Sequence, residues 1–199
     1  MKLGILFSGG KDSAMALFWA QQKHEATCLI TIDSKNKESY MFHTDKVPDI
    51  PKLSKKINIP LVFKKTKGVK EKELVDLKSA IKDAKEKYAI DGVVSGALAS
   101  NYQKTRVDNI CKELELKSFA PYWNVDPEKY LKEIIDLGFK IQIVRVASEG
   151  LTKDWVGKII DQKFFTKILE LNKKYGVHIA GEGGEYETFV IDGPIFSRN

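Results

Sequence analysis

The residues best suited to chemistry come near the start of the chain. Ser8-Gly9-Gly10-Lys11-Asp12-Ser13 joins a short apolar run, residues 3–7, to a stretch of good helix formers. Two adjacent glycines let backbone N–H groups approach an anion with no Cβ in the way, and the helix N-terminus that follows adds a favourable dipole. The serine hydroxyls and the Lys11 ammonium, read as an exposed loop lysine, supply further donors and charge. Such a segment is a cradle for phosphate. It lacks the GxxxxGK[ST] spacing and so is not a Walker A loop. Asp12 has two readings, a cap of the following helix or a carboxylate linked to a divalent cation; Ser13 is the other candidate cap.

A second concentration of functional residue types lies near the end, at Gly181-Glu182-Gly183-Gly184-Glu185-Tyr186-Glu187-Thr188-Phe189. Three carboxylates on a glycine-rich loop entering a strand are poor core material and good material for binding a cation or a metal-bound phosphate. A polar hairpin turn is the plainer reading of the same residues. His178 stands just before this loop with no second ligand at metal spacing, so a polar contact suits it better than a metal. In the middle of the chain Ser95-Gly96-Ala97 follows an apolar run, and Tyr102 and Arg106 fall one helical turn apart. These two can present a donor pair toward a ligand or simply pack on a helix surface.

The elements that must position these residues follow from periodicity. Residues 3–7 read as a buried strand, 14–21 as a helix with an apolar stripe, and 27–32 as a second strand, the length of a βαβ unit and hence a parallel sheet. The alternation continues with a helix near 50–57, a strand at 60–63, a lysine-rich amphipathic segment at 71–88, a strand at 92–95 and a helix at 101–114. A short apolar segment near Phe119 leads to Pro121-Tyr122-Trp123. Beyond it the texture changes to a helix at 127–137 with proline early, an alternating strand at 140–146 and a helix at 162–175. The expected fold is α/β, a doubly wound parallel sheet in residues 1–120 with a smaller α+β lobe, 121–199, packed on it. In an open α/β sheet, ligands bind outside the carboxyl ends of strands, which is where Ser8–Ser13 and Ser95-Gly96-Ala97 fall.

Composition narrows the class. With 43% hydrophobic and 30% charged residues among 199, the chain is neither disordered nor low in complexity, and its net charge of +6 favours an acidic partner without choosing one. Acidic residues interleave the lysines of 64–87, which reads as a solvated helix face. Cys28 and Cys111 form no CxxC and are expected as buried small hydrophobes in a reducing compartment. No signal peptide or membrane span is evident at the start or elsewhere, so a cytoplasmic protein without membrane association is expected.

The Ser8–Ser13 string resembles the SGGKDS loop of the ATP pyrophosphatases, the PP-loop enzymes that split ATP between the α and β phosphates. Paired with GEGGEYETF near the end, it resembles more narrowly the diphthine-ammonia ligase family. The segment from Ser95 to Cys111 and the turn Pro121-Tyr122-Trp123 are similar to the same family, so the likeness runs from Leu3 to Phe196. Two positions depart from its pattern: His43-Thr44-Asp45 keeps a His-Thr pair but lacks the following proline, and Ala180 stands where cysteine is common, which argues against thiol chemistry there. The chain also ends shortly after Phe196, where relatives often continue.

The resemblance implies an adenine nucleotide alpha hydrolase-like fold and the amidation of diphthine, a modified histidine on translation elongation factor 2, by ATP, Mg²⁺ and free ammonium. It implies ATP contacts at Ser8, Gly9, Gly10, Lys11, Asp12, Ser13, Ser95, Gly96 and Ala97, with adenine near the main chain of Ile32 by fold analogy. Catalytic roles fall to Lys11, Asp12, Glu182 and Glu185, and the metal to Asp12. Substrate contacts fall to Tyr102, Arg106, Trp123, Gly183, Gly184, Tyr186 and Glu187, with aromatic faces and carboxylates suited to the trimethylammonium group of diphthine. A homodimer is among the expectations. The rival readings are a tRNA-modifying enzyme that adenylates a base and an ATP-binding sensor without turnover.

Overall fold

The structure, a computed structural model, describes residues 1–36 and 49–196; the His43-Thr44 pair singled out above lies outside them. Five strands form one parallel sheet in the order β3-β2-β1-β4-β5: β1 Lys2–Leu6, β2 Glu25–Ser34, β3 Leu61–Thr66, β4 Gly92–Val94 and β5 Lys117–Phe119. The chain winds outward from β1 through β2 to β3, then returns to the other side of β1 at β4. The reversal leaves a crevice between the carboxyl ends of β1 and β4. Leu3, Ile5, Val93 and Val94 are fully buried, as befits strands covered on both faces.

Helices α1 Lys11–Lys23, α2 Ile50–Ile57, α3 Glu73–Tyr88 and α4 Asn101–Glu113 connect the strands. Leu77, Ile81, Val107 and Ile110 of α3 and α4 pack with Ile30 and Val93 in a core on one face of the sheet. The other face carries a larger core to which α1 contributes Met15 and Leu17. The same core draws in α5 Pro127–Asp136, β6 Lys140–Val146, α6 Gln162–Tyr175 and β7 Tyr186–Asp192 through Tyr130, Leu131, Ile143, Phe164 and Val190. Strands β6 and β7 form a separate antiparallel pair, with Ile141 opposite Val190 and Ile143 opposite Thr188. The α/β architecture with a small antiparallel lobe agrees with the expectation.

Local signals account for most boundaries. Asp126 caps α5 by accepting a hydrogen bond from the Lys129 amide, 2.8 Å, with Pro127 in the first turn; Asp161 caps α6 through the Phe164 amide, 2.9 Å. Two expectations need correction. Strand β2 is ten residues long rather than six, because pairing with β3 carries it past its apolar run to Asp33 opposite Lys65 and Ser34 opposite Thr66. Helix α1 begins at Lys11, with Gly10 as its N-cap and no side-chain cap, so neither Asp12 nor Ser13 has that role. Both lie inside the first turn, where Ser13 Oγ donates back to the Gly10 carbonyl, 3.0 Å.

Candidate active site

A cavity of about 260 Å³ opens at the carboxyl ends of the central strands. It is lined by Ser8, Gly10, Lys11, Asp12 and Ser13 of the first loop, by Ser95, Gly96 and Ala97 after β4, and by Gly181, Glu182, Gly184, Tyr186, Glu187 and Thr188 from the end of the chain. Its apolar wall comes from Leu6, Ile30 and Ile32 of the sheet with Leu77 of α3 and Val107 of α4. Three separate stretches thus converge on one space.

The first loop is held by backbone on both sides. Gly9 has φ +79°, and a Cβ there would stand 2.6 Å from the Phe189 ring; its carbonyl accepts the Val190 amide at 2.7 Å. A Cβ on Gly96 would meet the Asp12 carbonyl carbon at 2.6 Å, so only glycine lets the end of β4 approach the first turn of α1 this closely. The Lys11 amide, an orphan of the helix start, donates to Thr188 Oγ1 at 3.0 Å. The next amides, of Asp12 and Ser13, lie too early in α1 to reach an intrahelical carbonyl, which suits this turn to an anion.

Lys11 is not the exposed loop lysine expected: it starts the helix and is 4% exposed. Its Nζ donates to Asp12 Oδ2 at 2.8 Å and lies 5.6 Å from the centre of the Tyr186 ring. The other Asp12 oxygen accepts from the Tyr130 hydroxyl at 2.9 Å. Tyr130 and Tyr186 are both buried, which pushes their phenols well above the ordinary range, reinforced by the negative charge of Asp12. Both therefore stay protonated donors, Tyr186 to the Ile179 carbonyl at 2.7 Å.

The acidic loop is held by its own side chains. His178 Nδ1 accepts the amides of Ala180, 3.2 Å, and Glu182, 3.4 Å. The Glu185 carboxylate accepts the His178 amide at 3.0 Å and the Gly183 amide at 2.8 Å. Glu185 is thereby committed to shaping the turn and lies outside the residues that line the cavity, as does Gly183. Glu187 reaches the cavity wall but is paired with Arg145 at 2.9 Å. Glu182 is the carboxylate that faces the cavity beside Asp12. Burial raises its pKa and the nearby Asp12 charge adds to the rise, while Lys11, His178 and a hydrogen bond from the Leu98 amide to the carboxylate oppose it.

Three expected substrate contacts stand elsewhere. Tyr102 and Arg106 are on the outer side of α4, tied to Glu71, which accepts from Tyr102 Oη at 2.9 Å and Arg106 Nε at 3.1 Å. The Arg106 guanidinium, seconded by Tyr102, holds the Glu71 carboxyl below its usual range. The α4 residues that do reach the cavity are Gln103 and Val107, because Tyr102 and Arg106 occupy a different helical face. Trp123 is also outside, and Lys104 Nζ already sits 5.7 Å over its ring. Tyr186 lines the cavity, but Lys11 Nζ already lies over its ring and Trp123 is outside, so these two rings do not come together as an aromatic cage for a quaternary ammonium. Sequence reasoning missed Thr188, Tyr130, Gln103 and Val107. Thr188 stood inside the quoted acidic motif and Gln103 and Val107 inside the Ser95–Cys111 segment, whereas nothing local marks Tyr130.

The remaining titratable candidates are inert. Burial pushes the Cys28 thiol up to about 12 and the Cys111 thiol up to about 11. No three His, Cys, Asp or Glu side chains cluster as a metal cage among the described residues. Mg²⁺ at a phosphate site takes only one or two carboxylates, with phosphate oxygens and waters completing its shell. Asp12, with Glu182 beside it, fits that requirement.

The chain is similar to known proteins along its whole length. The model of the diphthamide synthase N-terminal domain matches residues 1–118 and that of the C-terminal domain residues 126–199. The chain is 34% identical to human diphthine-ammonia ligase over 218 residues, covering all of this chain and 81% of that protein. It is 35% identical to the ligase of Schizosaccharomyces pombe, covering all of this chain and 35% of that longer protein. Among solved structures, a predicted subunit of tRNA methyltransferase from Methanocaldococcus jannaschii shares the fold, with a TM-score of 0.51 and 15% identity over 97% of this chain and 98% of that one. Matched by family models through both halves, and aligned along its whole length with enzymes that share a third of its residues, the chain belongs to the diphthamide synthase family.

Proposed function

We propose that the protein is a diphthine-ammonia ligase, which converts the carboxylate of diphthine on translation elongation factor 2 into an amide, consuming ATP and ammonium and releasing AMP and pyrophosphate. The observation that carries this reading is the meeting of the phosphate loop and the acidic loop in one cavity, in a chain whose full-length relatives bear that name. A carboxylate is a poor acyl donor because its leaving group would be oxide; transfer of AMP to one of its oxygens makes AMP the leaving group when ammonia adds to the carbonyl carbon.

The chain's own residues suit the two halves of that reaction. The Lys11 ammonium and the first-turn amides of α1 are arranged to take up charge that develops on departing pyrophosphate, the kind of preorganised donor set that lowers such barriers most. Mg²⁺, when bound at Asp12, would neutralise phosphate charge and orient the phosphates for in-line attack. The apolar wall of Ile30, Ile32, Leu77 and Val107 suits the base of the nucleotide. Glu182, its carboxyl raised by burial, is suited to hold ammonium beside the acyl carbon and to accept a proton as the nitrogen adds. With Tyr102, Arg106 and Trp123 outside the cavity, contacts from them to the protein substrate would be surface contacts.

The test is production of AMP and pyrophosphate from ATP, Mg²⁺ and ammonium with diphthine-bearing factor, unmodified factor or bulk tRNA. Stoichiometric AMP with the diphthine-bearing factor alone is the expected result. AMP with tRNA alone would move the protein to RNA modification, and no AMP with any of them would leave a nucleotide sensor.

A further inference from the structure

Asp12 receives two hydrogen bonds of different origin. Lys11, its neighbour in the chain, holds Oδ2; Tyr130, 118 residues further on, holds Oδ1. Tyr130 is fully buried in the larger core and does not line the cavity, so it reaches the carboxylate from behind. Phenylalanine would fill the same volume in the stripe of Tyr130, Leu131 and Ile134 without creating a buried hydroxyl that must find an acceptor. The one acceptor it finds is the carboxylate of the phosphate loop.

We infer that Tyr130 is a positioning residue that fixes the Asp12 carboxylate for a phosphate-bound divalent cation. With Lys11 alone, Asp12 is anchored through one oxygen and free to swing about that contact. The second donor fixes the carboxylate plane, and each oxygen keeps a further lone-pair site. A phenol also does this without cancelling the negative charge that a cation needs. The Tyr130 ring is itself held: Tyr122 packs against it at 5.1 Å between centroids, and Asn124, just before α5, donates its amide to the Leu98 carbonyl at 2.7 Å, fastening this segment to the loop after β4.

The inference rests on the reading of Asp12 as the carboxylate that serves Mg²⁺ and phosphate. Its test is calorimetric binding of ATP, with Mg²⁺ and with EDTA, to the wild type, Tyr130→Phe, Asp12→Asn and the double variant, with a thermal melt of each. Wild-type affinity should rise with Mg²⁺. Tyr130→Phe should lose roughly tenfold of that affinity, the size of one charge-assisted hydrogen bond, with little change in EDTA. The double variant should bind no more weakly than Asp12→Asn. Unchanged Mg²⁺-dependent binding in Tyr130→Phe, an equal loss with and without Mg²⁺, or losses that add to those of Asp12→Asn would each overturn the inference. Should wild-type ATP binding prove indifferent to Mg²⁺, the reading of Asp12 falls and the inference with it. Tyr130→Phe keeps the ring and its packing, so its comparison in Mg²⁺ and EDTA decides the matter even if Asp12→Asn folds poorly.

Discussion

The two loops that face each other across the cavity are built on opposite principles. The Ser8–Ser13 loop is part of the scaffold: its Gly9 abuts Phe189 and its partner Gly96 abuts the Asp12 backbone, while Val190 and Thr188 of β7 bond to it directly. The Gly181–Glu185 loop is held mostly by nearby residues, through His178 Nδ1 and the Glu185 carboxylate, with the Ala147 amide on the Glu185 carbonyl at 2.8 Å and the Leu98 amide at the Glu182 carboxylate as its ties to distant elements, and a Cβ on Gly184 would meet nothing within 4 Å. One loop therefore has its geometry imposed by long-range packing and is suited to fixed recognition of phosphate. The other has mostly local geometry, and its Glu182 carboxylate is tied to the rest of the site through the Leu98 amide. Alteration of the first should cost the whole fold something; alteration of the second should be felt mainly at Glu182.

The largest expected effect probes charge rather than shape. Lys11→Ala should reduce AMP formation by about 10³-fold, a loss of about 4 kcal/mol of transition-state stabilisation. Its melting temperature should fall only modestly, because Asp12, the partner left behind, is about a third exposed to water and keeps its bond to Tyr130, while the desolvation cost of the buried ammonium is removed. A melt lowered by more than about 10 °C would mean that the loop depends on Lys11 for its shape.

The contrast between the loops is sharpest at their left-handed glycines. Gly9→Ala combines a φ of +79° with a collision against Phe189 and should destabilise by about 3 kcal/mol; Gly184→Ala, with φ +80° and open space, should cost about 1 kcal/mol. Chemical denaturation of the two variants measures both, and equal losses would break the comparison. Thr188→Val keeps the packing but leaves the Lys11 amide without its acceptor. A loss of about 1–2 kcal/mol is expected, with weakened ATP binding measurable by calorimetry.

The smallest effect is a sign. Because the Glu182 carboxyl is raised by burial and by Asp12, its contribution to stability is complete below its ordinary value of 4.5 and is lost as pH rises through the raised one. Glu182→Gln should therefore melt slightly higher than the wild type at neutral pH, with the gain vanishing on acidification below about 4.5. Amidation should fall while ATP binding is kept. Equal loss of both would mean that Glu182 serves the nucleotide rather than the ammonium.

Much of this arrangement was legible in the residues. The Ser8–Ser13 string announced a phosphate site because glycine, helix start and lysine are each required locally, and the parallel sheet followed from strand and helix periods that need no long-range knowledge. Helix α1 misled because capping statistics favour Asp and Ser, whereas the orphan amide of Lys11 found Thr188 from the far end of the chain. Tyr102 and Arg106 lie outside the cavity because helical spacing does not say which face looks inward; Gln103 and Val107 have that face. The motif paired Glu182 with Glu185 as catalytic and gave Glu187 to the substrate, yet Glu182 faces the cavity, Glu185 shapes the turn and Glu187 is paired with Arg145.

By itself, then, the sequence determined the elements, their order and the candidate phosphate loop, since these rest on contacts within a few residues or on repeating patterns. The tertiary structure alone decided the burial of Lys11, the tie from Tyr130 to Asp12, and which of three glutamates is available. Those depend on which distant surfaces the sheet reversal at β1 and β4 and the return of β7 bring together, and a side chain's charge, exposure and hydrogen-bond partners are set by those neighbours.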